Sequence, residues 1–133
     1  MGRKIRQAMM LAAALGACTA SYARAPALEI STGTASFYAD RFTGKRTANG
    51  ELYDPEAFTA AHRSLPFGTH VRVTDLASGR SVIVRVNDRG PWGNGRLIDI
   101  SRAAARELGL IQRGHGRVEL EAANAGGIDD PSD

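Results

Sequence analysis

One run constrains the fold more than any other. Ser81-Val82-Ile83-Val84-Arg85-Val86 is β-branched at every position except Ser81 and Arg85, a composition that suits a pleated surface and costs rotamer freedom in a helix. Just before it, His70-Val71-Arg72-Val73-Thr74 alternates polar and apolar residues, the period of a half-buried strand. Asp75-Leu76-Ala77-Ser78-Gly79-Arg80 lies between them and carries turn chemistry, so the two runs predict a hairpin-like pair. Ile30 to Tyr38, Leu97-Ile98-Asp99-Ile100 and Arg117-Val118-Glu119-Leu120 are three further strand candidates. Many short strands with Gly- and Pro-rich connections predict a closed β-barrel rather than a parallel sheet. One helix is expected: Ser101 as N-cap, Arg102 to Leu108 as the body, and Gly109 past its end.

The chain opens differently. Arg3, Lys4 and Arg6 precede an uncharged run from Ala8 to Ala17 made of Met, Leu, Ala and one Gly. A charged start, a short apolar centre and small residues at the end form the layout of a secretory signal over 1–17. The apolar run is too short to span a bilayer, which takes about 20 helical residues. Leu15-Gly16-Ala17-Cys18 is similar to a bacterial lipobox, in which the thiol takes a diacylglyceryl group. The alternative is plain cleavage after Ser21-Tyr22-Ala23. Cys18 is the only Cys, and an unpaired thiol in an oxidising compartment favours lipidation. Several acyl chains would give a stable anchor, and Thr19, rather than Asp, after the Cys fits the periplasmic face of the outer membrane.

The signal also explains the charge. The sequence pI is about 9.5, a value that suggests a nucleic-acid binder. Three of the 17 Lys and Arg residues lie in the first six positions, leaving 14 basic against 14 acidic residues. The chain beyond the signal is formally neutral, and nucleic acid drops away as a partner. Residues 18–28 read as a tether and 123–133 as a disordered acidic tail. The folded unit is then 29–122, and no second domain fits beside it.

No metal or cofactor signature is present. His62, His70 and His115 show no ligand spacing, and there is no phosphate-cradling Gly loop and no nucleophile elbow. Four polar residues stand in conspicuous settings. Glu51 follows the turn Thr47-Ala48-Asn49-Gly50 and could be projected from a rigid loop or simply solvated. Asp88 closes the apolar run before Arg89-Gly90-Pro91, and could be a rim acid or an acceptor for backbone N–H groups. His62 ends Thr59-Ala60-Ala61-His62, where a satisfied imidazole is the ordinary case. Asp99, inside an apolar strand, reads as structural. Two carboxylates and a His near strand ends meet the needs of glycosidic-bond cleavage.

In order along the chain, several of these segments resemble the double-psi β-barrel domain of rare lipoprotein A (RlpA), a septal-ring lytic transglycosylase family. They are Gly33-Thr34-Ala35-Ser36-Phe37-Tyr38, Thr47-Ala48-Asn49-Gly50-Glu51, Thr59-Ala60-Ala61-His62, Leu65-Pro66-Phe67-Gly68-Thr69, Val84 to Pro91 and Gly95 to Ser101. The resemblance implies a mainly β, six-stranded double-psi barrel with one or two short helices and no cofactor. It implies an endolytic lyase acting between N-acetylmuramic acid and N-acetylglucosamine of peptidoglycan glycan strands, leaving 1,6-anhydro ends. Asp88, Glu51 and His62 occupy the positions of the family's catalytic residues. On this reading Asp88 is the acid, Glu51 raises its proton affinity or stabilises positive charge, and His62 orients one of the two carboxylates. Phe37, Tyr38 and Trp92 could line the sugar groove or belong to the core, and Asn49 and Arg89 are candidate sugar contacts.

Two departures stand out. Phe37 and Ala39 replace the family's usual Trp and Gly, and the SPOR domain of many members is not expected here, which puts septal targeting and divisome partners in question. The competing readings are a non-catalytic glycan-binding or expansin-like wall-loosening module, and a lysozyme-like hydrolase with Glu51 as base.

Overall fold

The computed structural model describes residues 30–93 and 95–123. The signal, Cys18, the tether and the tail beyond Ala123 lie outside the described residues.

Six strands form a closed barrel: β1 (Ser31–Phe37), β2 (Thr59–Ala61), β3 (His70–Asp75), β4 (Ser81–Asp88), β5 (Arg96–Ile100) and β6 (His115–Ala122), in spatial order β1-β5-β2-β4-β3-β6. The one α-helix described, α1 (Arg102–Leu108), starts on Ser101, whose side chain accepts the Ala104 N–H, and stops at Gly109 with φ 76°. A 3-10 turn covers Asp40–Phe42. The barrel, the helix and the 70–86 hairpin agree with expectation. The 81–86 run extends through Asn87 and Asp88, so Asp88 is the last residue of β4 rather than a residue beyond it.

Strand β2 carried no strand signal of its own. Thr59-Ala60-Ala61 is short and has one β-branched residue; it is a strand because β4 and β5 flank it on both sides. Tertiary context overrides weak propensity here.

Two pairs of strands are parallel, β1 with β5 and β2 with β4, while β1/β6, β3/β4, β3/β6 and β2/β5 are antiparallel. Exchanging β1–β3 for β4–β6 turns this map into itself. The alternation of β3 and β4 places Val71, Val73, Val84 and Val86 inside, where they meet Ile98, Ile100, Val118 and Leu120, all fully buried. Ala104, Ala105 and Leu108 of α1 close the core from one side. Close packing leaves no room at Gly33: a Cβ there would sit 2.7 Å from Leu97 Cβ.

Candidate active site

The antiparallel overlap of β2 and β5 is only two residues long, Ala60 on Ile100 and Ala61 on Asp99. Because β1 runs parallel to β5 and β4 to β2, the C-terminal ends of all four strands converge there. Across the sheet the register reads Ser36, Asp99, Ala61, Asp88. Small Ala61 stands between the two carboxylate-bearing residues of the flanking strands, Asp99 and Asp88.

Asp88 is held from three directions. Its Oδ1 accepts the backbone N–H of Ala48 at 2.8 Å and of Arg89 at 2.9 Å. Its Oδ2 accepts the Tyr38 hydroxyl at 2.6 Å. Tyr38 sits just past β1, with its N–H on the Ile100 carbonyl, and leans across to Asp88. Its ring stacks on Tyr53 at 4.4 Å and meets Phe42 edge-on at 5.9 Å. Burial first, then the adjacent Asp88, push the Tyr38 hydroxyl well above its ordinary pKa, so it remains a proton donor at any working pH.

Glu51 belongs to a narrow loop that folds back on itself. Tyr53 N–H reaches the Lys45 carbonyl, Arg46 pairs with Leu52, and Thr47 N–H reaches the Glu51 carbonyl. The turn at its tip requires φ 95° at Gly50, a conformation favoured by glycine. The loop docks along β4: Glu51 takes a two-pronged bond from Arg85 (2.9 and 3.0 Å) and another from Asn87 Nδ2 (2.9 Å), and Asn49 N–H reaches the Asn87 carbonyl. The Arg85 fork, followed by Asn87 and Asn49, lowers the Glu51 pKa to about 2. Glu51 is therefore an anion at neutral pH, its charge matched by Arg85. Its carboxylate bonds Arg85 and Asn87 rather than Asp88, whose proton affinity was one of the two roles expected of it.

His62 follows β2, and its backbone N–H donates to the Asp88 carbonyl. Its Nδ1 accepts the N–H groups of Ser64 and Leu65, at 3.1 and 3.2 Å. That leaves the ring proton on Nε2. Burial, then the charges of Arg63 and Arg89, depress its pKa. Its side chain bonds its own loop rather than either carboxylate, so the expected orienting hydrogen bond is not made.

The other candidates divide. Asn49 spends its side-chain oxygen on Thr47 Oγ1 and Glu51 N–H, inside its own loop. Arg89 lies over the Phe67 ring at 4.0 Å and donates to the His62 carbonyl. Phe37 is half-buried against the core, whereas Trp92 is 71 % exposed beside the Gly90-Pro91 turn. Asp99 is structural as expected: Ser36 Oγ and Arg96 Nη1 both donate to its Oδ1. Sequence reasoning missed Arg85, Asn87 and the Tyr38–Asp88 bond. Arg85 did leave a signal, as the one charge within the apolar run Val82 to Val86. No group of His, Cys, Asp and Glu among the described residues could hold a metal ion.

Residues 30–120 match the family described as lytic transglycolase. The chain belongs to that family. A probable endolytic peptidoglycan transglycosylase RlpA of Nostoc sp. is 60% identical over 91 residues, covering 67% of this chain and 24% of the relative. Endolytic peptidoglycan transglycosylases RlpA of Neisseria meningitidis and Pseudomonas aeruginosa are 54% and 56% identical, each covering about two thirds of this chain, but 38% and 26% of the relatives. The chain thus spans well under half the length of these transglycosylases. Among solved structures the barrel is similar to Streptomyces papain inhibitor (TM-score 0.59, 25% identity, covering 74% of this chain and 97% of that one). It is also similar to an expansin of Clavibacter michiganensis in complex with cellohexaose (TM-score 0.56, 20% identity, covering 71% and 50%). These two show the shared fold.

Proposed function

We propose that this lytic transglycolase domain is an endolytic peptidoglycan transglycosylase that cleaves between N-acetylmuramic acid and N-acetylglucosamine and leaves 1,6-anhydro ends. The observation that carries the reading is the setting of Asp88. Two backbone N–H donors commit Oδ1 as an acceptor, so a proton on this carboxyl resides on Oδ2. Asp88 delivers that proton to the glycosidic oxygen as the bond from the muramic C1 breaks. The muramic C6 hydroxyl then closes on C1, and its proton returns to the Asp88 carboxylate. No water is consumed, and the intramolecular nucleophile needs only orientation. Glu51, held anionic, keeps the 44–53 loop on β4 and so keeps the Ala48 N–H on Asp88. Neutral His62 presents Nε2–H from the neighbouring loop. Exposed Trp92 flanks the sugar path.

The same reading places the protein in the cell envelope, exported and anchored through Cys18, and active in wall remodelling at the septum. Palmitate labelling that is lost in Cys18→Ser supports the anchor, and unchanged labelling overturns it.

Purified glycan strands, with and without stem peptides, are incubated with the chain and their ends read by mass spectrometry. Anhydro ends are the expected product. Reducing ends would mean a hydrolase, and intact strands held on the protein would mean a binding module of the expansin kind. Asp88→Asn is expected to lower the rate by at least about a hundredfold, the usual worth of a general acid; unchanged cleavage sinks the assignment.

A further inference from the structure

We infer that Tyr38 is a positioning residue for Asp88 rather than a sugar platform: its hydroxyl fixes Oδ2 and stabilises the negative charge that appears there when the proton is delivered. The inference rests on the role given to Asp88 above.

The ring of Tyr38 is committed to an aromatic cluster. One face lies on Tyr53 and an edge is met by Phe42. What it presents is the hydroxyl, 2.6 Å from Asp88 Oδ2. The charged and titratable groups around this carboxyl come from every neighbouring element. Arg89 follows it just past the end of β4, with the guanidinium on the carbonyls of His62 and Asp88. Asp99 of β5 faces Tyr38 and is engaged by Arg96 and Ser36. Glu51 is matched by Arg85, and His62 is turned to its own loop. Tyr38 is therefore the side chain that answers a change of charge on Oδ2.

The proton balance follows. With Asp88 protonated, the Oδ2–H points to the glycosidic oxygen and the Tyr38 O–H meets a neutral oxygen, a weak bond. As the Oδ2–H bond breaks and the new O–H bond forms, Oδ2 becomes anionic and the Tyr38 O–H donates to it. That bond strengthens along the reaction, which lowers the barrier without adding to substrate affinity.

Tyr38→Phe keeps the ring and its stacking and removes only the hydroxyl. With glycan strands as substrate, kcat is expected to fall by about tenfold or more, with KM within about twofold. A raised KM with kcat retained would make Tyr38 a sugar contact and overturn the inference, as would an unchanged kcat. The 13C signal of the Asp88 side-chain carboxyl at neutral pH gives an independent reading. It should shift in Tyr38→Phe, and it stays informative even if the unaltered chain cleaves nothing. In that case the transglycosylase reading fails, and an unmoved carboxyl signal would overturn the Tyr38–Asp88 coupling as well.

Discussion

At the scale of the residue, the site separates groups that titrate from groups that hold. Glu51, brought to about 2 from an ordinary 4.5 by Arg85 and Asn87, contributes stability that is complete above pH 4.5 and is lost as pH falls toward 2. Thermal melts between these limits should fall for the unaltered chain and flatten in Glu51→Gln. His62 acts at milder acidity. Its depressed pKa means that the unfolded chain binds the proton first, so stability declines as pH drops below 6.5. His62→Gln should remove that step from a melt series through pH 6.5. Thr59 offers a contrary case: its buried Oγ1 meets no hydrogen-bond partner among the described residues. Thr59→Val is expected to be neutral or to stabilise by up to about 1 kcal/mol in denaturant titration. These three residues were visible in the sequence as polar side chains in motifs. Their partners were not, because Arg85 lies 34 positions from Glu51 and Asp88 lies 50 from Tyr38. Only folding sets such pairs side by side.

At the scale of the element, loop 44–53 and β4 work as one unit. Arg85→Ala removes the fork that pins Glu51, and should leave the loop amides, Ala48 among them, exchanging faster with solvent. Hydrogen exchange by mass spectrometry reads this directly, and unchanged protection of 46–52 would show that the backbone bonds suffice. Gly33→Ala tests β1 against β5: with Leu97 Cβ at 2.7 Å, the strand must shift, at a cost of about 1–3 kcal/mol in denaturant titration. Elements whose pattern spans several residues, such as β3, β4 and α1 with its Ser101 cap, were legible from sequence. Strand β2 was not. Its three residues have no periodicity to read, and β2 exists because its neighbours supply both hydrogen-bonded edges.

At the scale of the whole molecule, closure depends on pairings far apart in the chain, such as β1 with β6. Such topologies fold on the slower, millisecond-to-second scale of β-rich domains. They also share one core, so Leu120→Ala on the last strand should cost about 2–5 kcal/mol in a single transition seen alike by fluorescence and circular dichroism. Barrel class could be argued from many short strands with glycine-rich joints. The strand order could not, since both parallel pairs join segments that local pattern treats as unrelated.

The exchange of β1–β3 for β4–β6 that leaves the pairing map unchanged also relates the ends of β1 and β4, since Phe37 on Ile100 mirrors Asp88 on Ala61. The residues just inside and just past those ends are the ones that meet, Tyr38 from one half and Asp88 from the other. A symmetric frame thus holds an unsymmetric pair of tools. Neither half of the barrel contains the donor and the carboxylate together, so duplication alone could furnish the scaffold, but only divergence between the two copies could furnish a site.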